Sequence, residues 1–263
     1  MYGKNVRLER IMDRQSGNAV IIPMDHGISM GPLDGLVDMK QAINNISTGG
    51  ATAVVMHKGV VPYGHRTSGH DIGLILHLSA STNVGETSES KVLVATVEEA
   101  IKLGADAVSV HLNIGSRTEP KMLEDVGEVS RKCMEWGMPL LTMVYPRGPG
   151  VKDPFDPQLV AHCARAAAEL GADLVKTNYT GDVDSFREVV KGALAPVVIA
   201  GGPKMGSDIE LLTMVRDSLE AGGRGVSIGR NVFQHRNVRG ITQAISGIVL
   251  HGMEVDEALK FLK

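Results

Sequence analysis

Short apolar runs and amphipathic stretches alternate along this chain from one end to the other, and that alternation admits few folds. Eight apolar runs stand at residues 18–24, 53–57, 73–77, 107–112, 140–144, 174–175, 197–200 and 225–228. Segments such as 97–103, 122–136, 158–170, 185–191 and 209–221 carry apolar residues three and four apart, the spacing of one helix face. A strand followed by a helix and a second strand in the same sheet runs parallel to the first, so the pattern predicts a parallel sheet covered by helices. Two helix exits are nearly identical, Leu103-Gly104-Ala105-Asp106-Ala107-Val108 and Leu170-Gly171-Ala172-Asp173-Leu174-Val175. In each, the glycine is placed to end the helix in a left-handed conformation before the chain enters the next strand. Asp106 and Asp173 then stand at strand starts, the face of a barrel associated with stability, and are expected to be structural.

The 263 residues match the usual size of one α/β barrel of about 250 residues. With 43% hydrophobic but only 3% aromatic residues, the core is built from Val, Ile, Leu, Ala and Met, which suits buried parallel strands and excludes an all-β sandwich. The prediction is an α/β fold, a (β/α)8 TIM barrel forming a single domain over residues 1–263. An open doubly wound sheet uses the same alternation, but eight units at this length favour closure. A formal net charge of -3 without a Lys or Arg cluster excludes the electrostatic footprint of a nucleic-acid partner. Cys133 and Cys163 fall in predicted helices without Cys-x-x-Cys spacing, which argues against a disulfide framework or zinc site. No apolar run approaches the roughly 18 residues of a membrane span, and no targeting segment opens the chain, so no membrane partner and a reducing cytoplasmic setting are expected.

Barrel enzymes take their chemistry from the C-terminal ends of strands. There the chain places Asp25-His26-Gly27 after the first run, Tyr145-Pro146-Arg147-Gly148 after the fifth and Lys176 after the sixth. Because side chains alternate along a strand, an inward Lys176 brings Leu174 with it, an inward Tyr145 brings Met143 and Leu141, and an inward Asp25 brings Pro23 and Ile21. Each set is apolar beneath a polar tip. A lysine in a desolvated strand end loses its proton more readily, and only the free amine forms an imine with a ketone. The imine then draws electrons from a carbon-carbon bond, with Tyr145 suited to donate protons and Asp25 to accept one from a substrate hydroxyl. Glycines follow the last two runs, Gly201-Gly202 and Gly229-Arg230, where this fold often binds phosphate on backbone N–H groups. A bisphosphate would need a second anion site, for which Lys58 and Arg66 are the only evident side chains, and neither stands in a motif for one.

Other readings use the same strand ends. A lone lysine at a strand end is often a snorkelling surface residue. His26, His57, His77 and His111, at the ends of the first four runs, have the donor chemistry of a zinc-dependent aldolase or amidohydrolase, although His-x-His ligand spacing is missing from the first strand. A non-catalytic phosphate-binding barrel is a third reading, and it leaves Lys176, Tyr145 and Asp25 without purpose.

Taken together, Met24-Asp25-His26-Gly27-Ile28, Tyr145-Pro146-Arg147-Gly148, Val175-Lys176-Thr177-Asn178 and Gly201-Gly202 resemble the archaeal-type class I fructose-bisphosphate aldolase family over nearly the whole chain. The resemblance implies that Lys176 is the Schiff-base lysine, Tyr145 the proton donor and Asp25 the proton acceptor. It implies substrate contacts at Asp25, His26, Gly27, Ile28, Ser29, Tyr145, Pro146, Arg147, Gly201, Gly202, Gly229 and Arg230, with neither metal nor cofactor, in a homo-oligomer that is often a decamer. Aldolases of the family tend to carry tryptophan where this chain has Met143, and they commonly place a lysine in the third strand segment, which reads Leu76-His77-Leu78-Ser79-Ala80-Ser81-Thr82 here. These departures point to the branch that works as a transaldolase, with a phosphorylated ketose and L-aspartate semialdehyde as substrates. Fructose 1,6-bisphosphate cleavage is the alternative.

Overall fold

In the computed structural model, which describes residues 2–64, 70–86 and 88–263, the eight expected strands close into a parallel barrel. The strands are β1 (Ala19–Pro23), β2 (Ala53–Met56), β3 (Gly73–His77), β4 (Ser79–Ala80), β5 (Val92–Leu93), β6 (Ala107–Ile114), β7 (Leu140–Pro146), β8 (Leu174–Thr177), β9 (Val197–Ala200) and β10 (Gly225–Ser227). Around the barrel the order is β1-β10-β9-β8-β7-β6-β3-β2, while β4 and β5 form a separate antiparallel hairpin. The helices are α1 (Tyr2–Ile11), α2 (Gly27–Met30), α3 (Met39–Thr48), α4 (Val97–Lys102), α5 (Glu119–Trp136), α6 (Pro157–Glu169), α7 (Val183–Ala193), α8 (Asp208–Glu220), α9 (Arg230–Phe233), α10 (Val238–His251) and α11 (Val255–Ala258). Among the described residues, no helix is long and apolar enough to cross a membrane.

Strand parity divides the apolar residues into two cores. Ile21, Val55, Ile75, Leu141, Met143, Leu174 and Val198 fill the barrel interior, and Tyr145 extends that interior stack toward the C-terminal mouth. The opposite faces of the strands, including Val20, Val54, Leu74, Val108 and Val175, pack against the helices in a larger outer core. The barrel floor is closed by α1, whose Ile11 is fully buried in the inner core with Leu8 and Met12 beside it.

Asp106 and Asp173 have the structural role expected of them. Each carboxylate accepts a hydrogen bond, at 2.9 Å, from the first part of the neighbouring strand: Asp106 from the Leu74 N–H and Asp173 from the Leu140 N–H. Both are also held by cations of α1, Asp173 by Lys4 at 2.8 Å and Asp106 by Arg10 at 3.4 Å. Gly104 and Gly171 have φ of 74° and 98°, so the repeated helix exit is left-handed in both copies.

Strands β6, β7 and β8 run past the ends that hydrophobicity marks, because Asn113, Tyr145 and Lys176 are buried though polar. His111 therefore lies inside β6 rather than at its end. The Leu140 contact generates a stability test. Asp173→Ala removes the acceptor of a buried N–H and is expected to lower the unfolding free energy by about 1–3 kcal/mol in a denaturant titration. Lys4→Met, which keeps that acceptor, is expected to cost less than about 1 kcal/mol.

Candidate active site

At the C-terminal mouth the strand ends enclose a cavity of about 360 Å³, and Asp25, Tyr145 and Lys176 all lie on its wall. Lys176 is 7% exposed and pairs in register with Met143, so the lysine and the tyrosine stand on adjacent strands. Burial pushes the Lys176 amine down to about 8 against the opposing pull of the Asp25 carboxylate. A group with that value has free amine available near neutral pH, which an exposed lysine scarcely has.

Burial alone raises an aspartate, but here the facing His77 and His26 rings and the Lys176 ammonium outweigh it and hold Asp25 well below the usual carboxylate range. His77 sets Asp25 from the side: its Nε2 is 3.7 Å from Oδ2, and its Nδ1 is hydrogen-bonded to Ser109 Oγ at 2.8 Å. His26 Nδ1 lies 3.5 Å from the other oxygen, and the His26 ring meets Phe233 edge-on at 5.2 Å. Burial raises the Tyr145 phenol well above its ordinary value, so it stays protonated and can donate. The Tyr145 ring has His111 at 5.2 Å and the Arg147 guanidinium at 5.6 Å from its centroid. The cavity therefore holds a deprotonatable amine, a carboxylate and a protonated phenol, which are the parts that imine formation and proton transfer require.

The glycine loops occupy the β9–β10 side. Gly201, Gly202, Gly229 and Arg230 line the cavity, and Arg230 donates to the Gly202 carbonyl at 3.0 Å. Buried Asn231 fastens the first loop by donating to the Gly201 and Pro203 carbonyls at 2.9 and 3.0 Å and accepting from the Met205 N–H at 2.7 Å. Gly229 is required by close approach, since a Cβ there would sit 2.7 Å from His26 Cε1. Ser227 adds a buried hydroxyl on this wall that has no hydrogen-bond partner among the described residues.

Of the residues expected to meet substrate, Asp25, His26, Ile28, Ser29, Tyr145, Arg147, Gly201, Gly202, Gly229 and Arg230 are on the wall. Gly27 and Pro146 are not. Gly27 faces an adjoining apolar cleft, and Pro146 follows inward-pointing Tyr145 and so falls on the outer side of β7. Of the two candidates for a second anion site, Lys58 needs correction. Lys58 is paired with Glu99 at 2.7 Å and does not line the cavity, and Arg66 lies outside the described residues. Instead Lys91, from the leg of the β4–β5 hairpin, stands in the wall with Arg147. Only three-dimensional pairing of two very short strands brings Lys91 there, and no periodicity marks it.

Two of the four histidines at the strand ends, His77 and His111, are engaged by side-chain hydrogen bonds. Burial lowers all four, His77 to about 4, and His111 is hydrogen-bonded to Asn113 at 2.9 Å. Among the described residues, no three His, Cys, Asp or Glu side chains converge in a geometry that holds a metal ion.

Residues 19–235 match the model of the DeoC/LacD family aldolases. The chain is 44% identical over 257 residues to the 2-amino-3,7-dideoxy-D-threo-hept-6-ulosonate synthase of Halobacterium salinarum, covering 98% of this chain and 95% of that protein. It is 38% identical to the 2-amino-4,5-dihydroxy-6-oxo-7-(phosphonooxy)heptanoate synthase of Streptomyces griseus, covering 94% and 90% respectively. Among solved structures, a Schiff base forming fructose-1,6-bisphosphate aldolase superposes with a TM-score of 0.87 at 34% identity, covering 94% of this chain and 99% of that one.

The buried amine has a measurable signature. Labelling of Lys176 by hydroxyacetone, quenched with borohydride and read by mass spectrometry, is expected to rise about tenfold per pH unit and level off near pH 8. Asp25→Asn removes the charge that favours the ammonium, so the midpoint is expected to move to lower pH. A midpoint at the ordinary lysine value of 10.5 would contradict the burial argument.

Proposed function

The chain belongs to the DeoC/LacD family of aldolases, and from that premise we propose that it is a Schiff-base transaldolase making 2-amino-3,7-dideoxy-D-threo-hept-6-ulosonate. The donor is 6-deoxy-5-ketofructose 1-phosphate and the acceptor L-aspartate semialdehyde, in the route to 3-dehydroquinate and the aromatic amino acids. The observation that carries the reading is the buried Lys176 amine, lowered to about 8, in one cavity with Tyr145 and Asp25. The similarity to the Halobacterium salinarum synthase supports the choice of product.

In the proposed reaction the Lys176 amine adds to the methyl ketone, and the Tyr145 phenol gives the proton with which the carbinolamine loses water. Asp25 takes the proton of the hydroxyl beyond the α-carbon as the carbon-carbon bond breaks, and the electron pair of that bond passes into the iminium to give an enamine. Hydroxypyruvaldehyde phosphate leaves. The three-carbon enamine remains on Lys176 and attacks the aldehyde of aspartate semialdehyde, the protonated Asp25 carboxyl returns its proton to the new alkoxide, and water then releases the product from the lysine as Tyr145 takes back its own proton. No metal or cofactor enters this scheme. Assembly into a homo-oligomer, with a decamer as its candidate size, and a cytoplasmic setting belong to the same proposal.

A second donor is favoured by the glycine loops. They lie beside β8, where a phosphate on the carbon next to the imine would be held, and the product named for the Streptomyces griseus relative carries such a phosphate. Dihydroxyacetone phosphate with aspartate semialdehyde is the corresponding test mixture.

Product analysis separates these readings. With the deoxyketose phosphate and aspartate semialdehyde, the seven-carbon amino-keto acid is expected to form rapidly. Fructose 1,6-bisphosphate alone is expected to release triose phosphate slowly, and fast release would overturn the choice of reaction. Lys176→Met is expected to lose both labelling and turnover, whereas Tyr145→Phe, lacking the donor for carbinolamine dehydration, is expected to be labelled more slowly and to lose about 10² to 10⁴ in kcat.

A further inference from the structure

The cavity has a cationic end away from the glycine loops. Lys91 donates to Ser81 Oγ across the β4–β5 hairpin, and the Ser81 hydroxyl in turn donates to the Ser88 carbonyl at 2.8 Å. The hairpin loop is tied to the turn after β1 by two bonds of 3.0 Å, from Ser29 Oγ to the Ser81 carbonyl and from the Asn83 N–H to the Ser29 carbonyl. Arg147 stands at the end of β7 over the Tyr145 ring. Burial and the neighbouring Arg147 disfavour charge on the Lys91 amine and outweigh the opposing pull of the more distant Asp25 and Glu89 carboxylates. Among the described residues, neither cation has a carboxylate at ion-pair distance, whereas Lys58, just beyond the end of β2, is neutralised by Glu99. Two like charges in one partly buried wall are unfavourable until an anion joins them.

We propose that Lys91 and Arg147 form an anion seat for the aldehyde half of the substrate, which takes the phosphate of the departing fragment and then the carboxylate of the incoming amino aldehyde. The inference rests on the transaldolase reading and deepens it. The enamine stays fixed to Lys176, so the departing and incoming aldehydes occupy the same space in turn, past Tyr145 and Asp25. A seat used twice has to accept two different anions. The forked guanidinium of Arg147 and the point charge of Lys91 suit either one. The products named for both synthase relatives are 2-amino acids, so the carboxylate would come from the acceptor in each.

The test compares the full-length wild type with Lys91→Met and Lys91→Arg. Lys91→Met is expected to raise the KM for aspartate semialdehyde about 10- to 100-fold, the loss of one charge-assisted contact. Trapping of hydroxyacetone on Lys176, which involves no anion, is expected to change less than about twofold, and Lys91→Arg to restore KM to within about threefold. Inorganic phosphate is expected to compete with aspartate semialdehyde in the wild type and to lose that competition in Lys91→Met. An unchanged KM, or a KM that rises equally in Lys91→Arg, overturns the seat. Lys91→Gln replaces the methionine variant if the latter cannot be trapped, and loss of trapping there too overturns it. Failure to trap the wild type strikes at the imine reading instead.

Discussion

One balance governs the mouth of this barrel, the desolvation of the Lys176 amine against the charge of Asp25. Burial drives the amine toward its neutral form and the carboxylate pulls it back, leaving a group near 8 that in the proposed reaction is both nucleophile and, once condensed, electron sink. The balance exists only because the barrel is closed and filled. Leu174, Met143 and Ile21 beneath the site exclude water from below, and α1 seals the floor with Ile11. Opening either layer would return water to the amine and raise its proton affinity toward that of an exposed lysine.

The alternation of runs and helical faces made the eight barrel strands legible, as did the parity that aims Lys176, Tyr145 and Asp25 inward. What escaped had particular causes. Helix α1 is mostly exposed and polar, so its sealing role shows only when Ile11 meets the inner core. The hairpin strands β4 and β5 are two residues each, too short for any period, and they carry Lys91 into the wall. Lys58 had the right charge at the right strand end but is neutralised by Glu99 on α4, a pairing between distant positions. Gly27 and Pro146 belong to wall-forming motifs, yet their neighbours in the chain, rather than they themselves, face the cavity.

The histidines show how one residue type at one set of strand ends divides into different tasks. His77 is sandwiched between Asp25 and Ser109, His26 leans on Phe233 of α9, and His111 is engaged by Asn113 beside Tyr145. Burial lowers all three, so together they shape the cavity while bringing it less positive charge than free imidazoles would. That leaves Lys176, Arg230, Lys91 and Arg147 as the cations that organise the wall.

Those cations give the cavity a direction. The proposed donor, 6-deoxy-5-ketofructose 1-phosphate, has two ketones and a single phosphate, so it can thread past Lys176 either way round. Phosphate gripped by the hairpin side presents the methyl ketone to the lysine and discards the phosphorylated fragment. Phosphate gripped by the loop that Asn231 fastens presents the other ketone, and the discarded fragment is methylglyoxal. In the proposed reaction, the choice of which loop holds the phosphate, made far from the reacting bond, thus decides which half of the sugar is kept.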